Sequence, residues 1–329
     1  MRYIVYGAGA IGGLAGARMR EAGADVLLIA RGAHASAIAR SGLTIESAEG
    51  SRSVDVPVVT SPEEARVEAG DVIFLCMKSQ DTAAALDALR RVAPPDTPVV
   101  CVQNGVGNER AALRLFPSVY AVCIMCPATH LEPGVVQQES VPLPGMLDIG
   151  RYPSGTDVTV AAVAAAFRAA GFQSIERPDI MRWKYRKLVL NLGNASQALL
   201  APEDGRGVAR RAQAEGEACL RAAGIDFASA EEDKERRGDL LQLKPVKDRP
   251  YRGGSSWQSL QRGTGSIESD FLNGEISLLG RLHGVPTPVN DLLQRLAWEA
   301  ATRREPPGRV SLEEFESLLR PGRSTAPSV

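Results

Sequence analysis

Gly7-Ala8-Gly9-Ala10-Ile11-Gly12 is the stretch on which the reading of this chain turns. It is a G-x-G-x-x-G segment set between an apolar run, RYIVYG (2–7), and an amphipathic stretch, AIGGLAGARMREAG (10–23). A strand that passes through such glycines into a helix brings its backbone close to a phosphate. The first glycine allows the tight turn, the second leaves room for a pyrophosphate, and the third lets the helix pack on the sheet. The free amides of the helix N-terminus, Ala10 and Ile11 among them, then face the anion.

Working outward, short apolar runs recur with amphipathic stretches between them. DVLLIA (25–30), DVIFLCM (71–77) and TPVVCVQ (97–103) read as strands buried on both faces, and 79–92 as a crossover helix. This pattern predicts an α/β N-terminal Rossmann domain, a doubly wound and mostly parallel sheet, over residues 1–177. Segments between 118 and 151 read as a smaller, partly antiparallel extension, followed by a helix near 157–170 and a strand at 172–176. From 178 to 320 the pattern predicts an all-α C-terminal domain with helices at 179–200, 207–224, 264–284, 287–303 and 311–319. Phe271, Ile276, Leu279 and Leu282 have the spacing of a core-facing stripe. The charged, Pro/Gly-rich stretch 231–254 reads as a loop bordering function, and 321–329 as a disordered tail.

Composition narrows the classes. The 329 residues are 44% hydrophobic with a net charge of −1, which gives no basic field for nucleic acid or anionic lipid. No run is long and apolar enough for a transmembrane helix, and the N-terminus lacks the pattern of a signal peptide. Five cysteines, an odd number, argue against a disulfide framework and for the cytoplasm. The C-x-x-C pair Cys123 and Cys126 has no second pair to complete a metal site, and His34, His130 and His283 are scattered, so no metal is expected. The apolar helices of the second half offer a face for a homodimer.

The end of the second strand bears on the cofactor. A carboxylate there would hold the ribose hydroxyls of NAD, but this chain has Ala30-Arg31-Gly32, and Asp25 lies at the strand's start. Arg31 can accept a 2′-phosphate, so NADP(H) is expected. Lys78 follows the strand DVIFLCM, and Asn104 opens Asn104-Gly105-Val106-Gly107 after VVCV. Both fall at carboxyl ends of parallel strands, where ligands of such sheets bind. Further on, Lys187, Asn191 and Asn194 have the offsets i, i+4 and i+7 of one helical face, among apolar neighbours. Ser255-Ser256 and, twelve residues after Ser256, Glu268 complete the polar positions.

Over residues 1–305 the chain resembles the ketopantoate reductases (2-dehydropantoate 2-reductases) of the 6-phosphogluconate dehydrogenase-like superfamily. The resemblance rests on G-A-G-A-I-G, Lys78, N-G-V-G, Lys187-x-x-x-Asn191, Ser255-Ser256 and E-x-D-F-x-N-G from Glu268. It implies NADPH-dependent reduction of ketopantoate to pantoate, with Lys187 as general acid. It further implies that Glu268 is a second catalytic residue, binding substrate and cofactor and holding the site's charge arrangement, that Asn104, Asn191, Asn194 and Ser256 contact substrate, and that Lys78 and Asn104 border the nicotinamide. The chain departs from the family pattern in two places. Ala195 stands where members carry the second helix asparagine, with Asn194 one residue early, and Gly253 stands where members carry another asparagine. A paralogue acting on a different 2-oxo acid therefore stays open, as does a non-catalytic NADPH-sensing or partner-binding protein.

Overall fold

The structure is a computed structural model and describes residues 1–244, 246 and 253–320. The chain forms two compact units, Met1–Lys187 with Phe227–Tyr251, and Leu188–Asp226 with Arg252–Val329.

The first unit is built on a seven-stranded sheet. Its strands lie in the order Met146–Arg151, Val119–Met125, Val99–Cys101, Val72–Leu75, Arg2–Tyr6, Asp25–Ile29 and Val58–Val59. All neighbours are parallel except the first pair, as expected for a doubly wound sheet carrying an antiparallel edge strand. Strand Arg2–Tyr6 has its sequence successor on one side and Val72–Leu75 on the other, so the order reverses there, at the place where such sheets open a crevice. Register makes that edge even. Tyr6 pairs with both Ile29 and Leu75, and Leu75 with Cys101. Val72 to Leu75 are all buried, which explains why this strand reads as an unbroken apolar run. Phe74 stacks between Tyr3 and Phe167, with ring centroids 5.5 and 5.4 Å away.

Several expected elements take a different form. The extension after 118 is shared between two sheets. Val119–Met125 and Met146–Arg151 stay in the main one, while Val135–Gln138 and Ala128–Thr129 join Leu43–Ser47 and Gly50–Val54 in a second, four-stranded sheet. Residues 172–176 make backbone bonds to the edge strand, Leu147 N to Gln173 O and Ile149 N to Ile175 O, but bridge it only at isolated points.

The stretch 231–254 is not simply a loop. Ala230–Arg237 is a helix and Leu241–Leu243 a strand paired with Ser140–Pro142. The physical reason is a capping box. The Ser229 hydroxyl accepts from the Glu232 amide, the Glu232 carboxylate accepts from the Ser229 amide, and acidic residues precede basic ones along the helix dipole. Part of that stretch (245 and 247–252) and the tail at 321–329 lie outside the described residues.

The division placed between 177 and 178 differs from the grouping of the units for a packing reason. Ile180 and Trp183 bury against Ala121 and Cys123 of the sheet together with Ala228, so the start of helix Ile180–Asn191 belongs to the first unit.

The second unit is helical, with Gly193–Leu199, Pro202–Ala222, Ser255–Gln261, Asn273–His283, Pro288–Thr302 and Leu312–Leu319. Pro202 and Pro288 start their helices, where a missing amide costs nothing. The single helix expected over 179–200 is two, parted at Leu192, whose carbonyl accepts from Asn273 Nδ2 at 3.1 Å. Residues 264–267 precede a short 3-10 turn, Glu268–Phe271, and the α-helix starts at Asn273. The apolar stripe there is narrower than its spacing suggested. Ile276 and Leu279 are buried, but Phe271 is exposed and Leu282 is 67% exposed, and small Ser277 and Gly280 take the inner face. Asn290, fully buried, donates to Ala212 O and the Glu215 carboxylate and accepts from Asn273, so that unit's core is stitched by amides. No helix among the described residues is long and apolar enough to cross a membrane.

Candidate functional site

The even carboxyl edge of the main sheet carries the glycine loop. Gly7 has φ +100°, and a Cβ there would stand 2.7 Å from Met77 N, so the turn admits only glycine. A Cβ on Gly12 would collide with the Gly7 carbonyl and come within 2.7 Å of Cys76 Cβ, which records how tightly helix Ala10–Glu21 lies on the sheet. Gly9 is different: a Cβ there meets nothing within 4 Å. The loop is thus closed toward the protein and open at its middle glycine. That space, beside the amides of Ala10 and Ile11 at the start of the helix, fits a dinucleotide pyrophosphate.

Arg31 follows the next strand as the exposed N-cap of helix Gly32–Ser41, and no carboxylate ends the strand. Asp25 pairs in register with Arg2 at the opposite edge. Lys78 is the N-cap residue of the 3-10 turn Ser79–Asp81, after strand Val72–Leu75.

A buried polar network joins that turn to the loop carrying Asn104. Gln103 Nε2 donates to Met77 O (3.0 Å) and Thr82 Oγ1 (2.7 Å), Thr82 Oγ1 donates to Asn108 Oδ1 (2.8 Å), and Asn108 Nδ2 donates to Ser79 Oγ (3.1 Å) and Asn104 O (3.0 Å). These bonds tie the backbone beside Lys78 to the backbone beside Asn104.

Helix Ile180–Asn191 adds two lysines one turn apart. Lys184 is buried, ion-paired with Glu109, and donates to Gln103 O at 3.0 Å. Lys187 is the residue whose electrostatics stand out. Burial lowers its pKa below the ordinary lysine value, and the nearby positive charges of Arg236 and Arg237 push in the same direction, while Asp233 opposes them. These charges belong to helix Ala230–Arg237, in the stretch that reads as a loop in sequence. Arg236 is held there by Asp148 at 2.7 Å and Asp233 at 3.5 Å.

In the second unit Asn191 is 5%, Ser256 4% and Glu268 6% exposed. Asn194 lies on the helix after the break rather than on the one bearing Lys187, and its Oδ1 is 3.9 Å from where a Gly254 Cβ would sit. The Gly254 amide donates to Gln197 Oε1 at 3.0 Å, which fixes the entry to helix Ser255–Gln261. It is Ser255, not Ser256, that reaches Glu268, Oγ to Oε2 at 3.5 Å. Gly7, Gly9, Ala10, Ile11, Gly12, Arg31, Lys78, Asn104 and Lys187 therefore share the first unit, and Asn191, Asn194, Ser256 and Glu268 the second. Sequence reasoning missed Lys184, Glu109, Asn108 and Gln197. Only the clustering of polar residues after a strand hinted at Asn108.

All five cysteines are free, and the described residues hold no group of three or more His, Cys, Asp or Glu able to bind a metal.

Comparison with known proteins agrees with this layout. The family described as ketopantoate reductase PanE/ApbA matches residues 3–154, and its C-terminal counterpart matches 179–300. The 2-dehydropantoate 2-reductase of Pyrococcus horikoshii is 30% identical over 305 residues, covering 90% of this chain and 96% of that protein. That of Halobacterium salinarum is 29% identical over 301 residues, covering 88% and 95%. Among solved structures, a PanE/ApbA family ketopantoate reductase from Ralstonia eutropha superposes with a TM-score of 0.77 at 29% identity, covering 92% of this chain and 99% of that one. D-mandelate dehydrogenase, solved with NADH and anilino(oxo)acetate, shares the fold with a TM-score of 0.76 at 23% identity, over 92% and 99% of the two chains.

Proposed function

Because this chain belongs to the ketopantoate reductase family, oxidoreductases acting on a CH–OH group, we propose that it reduces 2-dehydropantoate to pantoate using NADPH. We assign cofactor binding to the first unit and most substrate contacts to the second.

When bound, NADPH supplies the hydride for the C2 ketone, and the protein supplies position and charge. The open amide of Gly9 and the start of helix Ala10–Glu21 receive the pyrophosphate, and the Arg31 guanidinium the 2′-phosphate. Lys78 and Asn104 border the nicotinamide end. Asn191, Asn194, Ser256 and Glu268 orient the 2-oxo acid. Lys187 is the general acid: its ammonium stabilises the negative charge that builds on the ketone oxygen and then gives that oxygen a proton. Burial makes the proton easier to give, because removing water disfavours the charged ammonium.

The observation that carries this reading is the glycine cradle, closed at Gly7 and Gly12 and open at Gly9, in the same unit as Lys187. The test is the loss of NADPH absorbance with ketopantoate, run beside NADH and a panel of other 2-oxo acids. Fastest turnover with ketopantoate and NADPH is expected. Tight NADPH binding without turnover on any of them would sink the enzymatic reading.

One observation favours a second substrate. Gly253 stands where family members carry asparagine, with φ +147°, and a Cβ there would lie 2.5 Å from Trp257 Cγ. This backbone excludes the family side chain altogether, so a contact made by that asparagine is missing here. A different 2-oxo acid, one that does not need that amide, fits this feature, and the same panel would identify it.

A further inference from the structure

The glycine loop is held by a residue outside the motif. His34, in the first turns of helix Gly32–Ser41, has Nε2 2.7 Å from Ala8 O, while the Gly134 amide donates to its Nδ1 at 2.9 Å. A nitrogen that accepts from an amide carries no proton, so the proton lies on Nε2 and is donated to Ala8 O. Burial lowers the His34 pKa and favours this neutral form. The ring is pressed from the side by His130, with centroids 4.1 Å apart, and His130 is itself fixed by Nδ1 donating to Val135 O at 2.9 Å. The turn at Gly134 lies close against the same helix: a Cβ there would stand 2.9 Å from Ala37 Cβ. Both ring nitrogens of His34 are therefore engaged and its plane is set.

The consequence follows from peptide planarity. Ala8 C=O and Gly9 N–H belong to one trans peptide and point in opposite directions. With the carbonyl drawn toward His34, the Gly9 amide points away from the ring, at the glycine whose side-chain position is open space. The neighbouring groups are tied by other means, Gly7 N to Ile29 O at 3.0 Å and Gly13 N to Gly9 O at 2.7 Å. The peptide between Ala8 and Gly9 depends on His34.

We infer that His34 is a positioning residue of the nucleotide site, aiming the Gly9 amide at the cofactor pyrophosphate through the Ala8 carbonyl. This rests on the nicotinamide cofactor proposed above. Because the pyrophosphate is common to both dinucleotides, His34 supports NADPH and NADH alike, unlike Arg31, which faces only the 2′-phosphate.

The test is direct binding of NADPH and of NADH, followed by cofactor fluorescence without substrate, to the full chain and three variants. His34→Leu fills the space without either hydrogen bond and should weaken both dinucleotides about tenfold. His34→Gln can donate to Ala8 O and accept from Gly134 N with one amide, and should stay within about twofold of the parent chain. His34→Asn is too short to span both partners. It should behave as the leucine variant does, and carries the test if that one fails to fold. With cofactor saturating, turnover of the folded variants should change by no more than about twofold. Unchanged affinity in His34→Leu or His34→Asn, a glutamine variant as weak as the leucine one, or a loss confined to NADPH would each overturn the inference. A parent chain that binds neither dinucleotide would overturn the cofactor assignment, and the inference with it.

Discussion

The ammonium of Lys184 and the carboxylate of Glu109 pair inside the first unit at 3% and 0% exposure, with Lys184 also donating to the carbonyl of Gln103. The pair joins the helix that bears Lys187 to the loop that bears Asn104. It also sets the scale of what a broken contact costs here, because a buried charge that loses its partner is far less stable than one never buried.

Replacing Lys184 by Met should therefore destabilise the chain by about 3–5 kcal/mol, measured by urea unfolding. Adding Glu109→Leu to the same chain should recover most of that loss, since no unpaired charge remains. A double variant as unstable as the single one would show that the pair contributes by attraction rather than by avoiding a stranded carboxylate.

Lys187 should give reduction a pH dependence of definite sign. With Lys187 as the proposed general acid, the protonated ammonium would be the active form, so the rate should be level below its pKa and fall tenfold per unit above it. The descending limb should lie below the 10.5 of an ordinary lysine, because burial lowers this one. Oxidation of the hydroxy acid should show the opposite slope, as the same amine then acts as base. Lys187→Ala should remove the limb and slow turnover by about 10²–10⁴-fold while NADPH binding persists.

Arg31→Ala should weaken NADPH by about tenfold or more and leave NADH nearly unchanged, since only NADPH carries the 2′-phosphate assigned to this guanidinium. Equal losses for the two cofactors would place the 2′-phosphate elsewhere.

The glycines should separate folding from binding. A Cβ on Gly12 meets the Gly7 carbonyl and Cys76, so Gly12→Ala should lower the melting temperature as well as cofactor affinity. A Cβ on Gly9 meets nothing, so Gly9→Ala should melt with the parent chain and lose only the cofactor. A matched fall in melting temperature for both would mean that the loop tolerates no side chain at either place.

These positions also mark what could be read from the sequence and what could not. The buried strands and the glycine turn are legible because their causes are local: continuous apolar runs and a backbone that needs φ above zero. Lys187 is legible through its spacing, with Asn191 one turn on and the apolar run Leu188–Leu190 between them. Other features depend on partners that no local pattern announces. His34 bonds to Ala8 and to Gly134, which is 100 residues away along the chain. Lys184 meets Glu109 across 75 residues. The helix at Ala230–Arg237 did have a local signal, the Ser229 and Glu232 capping pair, hidden among so many charges that the segment reads as a loop. Ser255 and Ser256 are adjacent and identical in type, and only backbone geometry determines which of them reaches Glu268.

The first unit draws on residues 227–251, after the chain has already passed through residues 188–226 of the second. During synthesis the amino-terminal sheet can form early, but strand Ser140–Pro142 has no partner until Leu241–Leu243 has left the ribosome. Asp148, buried without solvent, meets Arg177 at 3.3 Å and the Ile175 amide early, but its shorter pairing, with Arg236 at 2.7 Å, comes only then. Residues 188–226 of the second unit are made in the interval, and the rest of that unit follows residue 251. The nascent chain must therefore carry an unfinished sheet edge through that stretch of translation, which is the period when a holding chaperone would have most to protect.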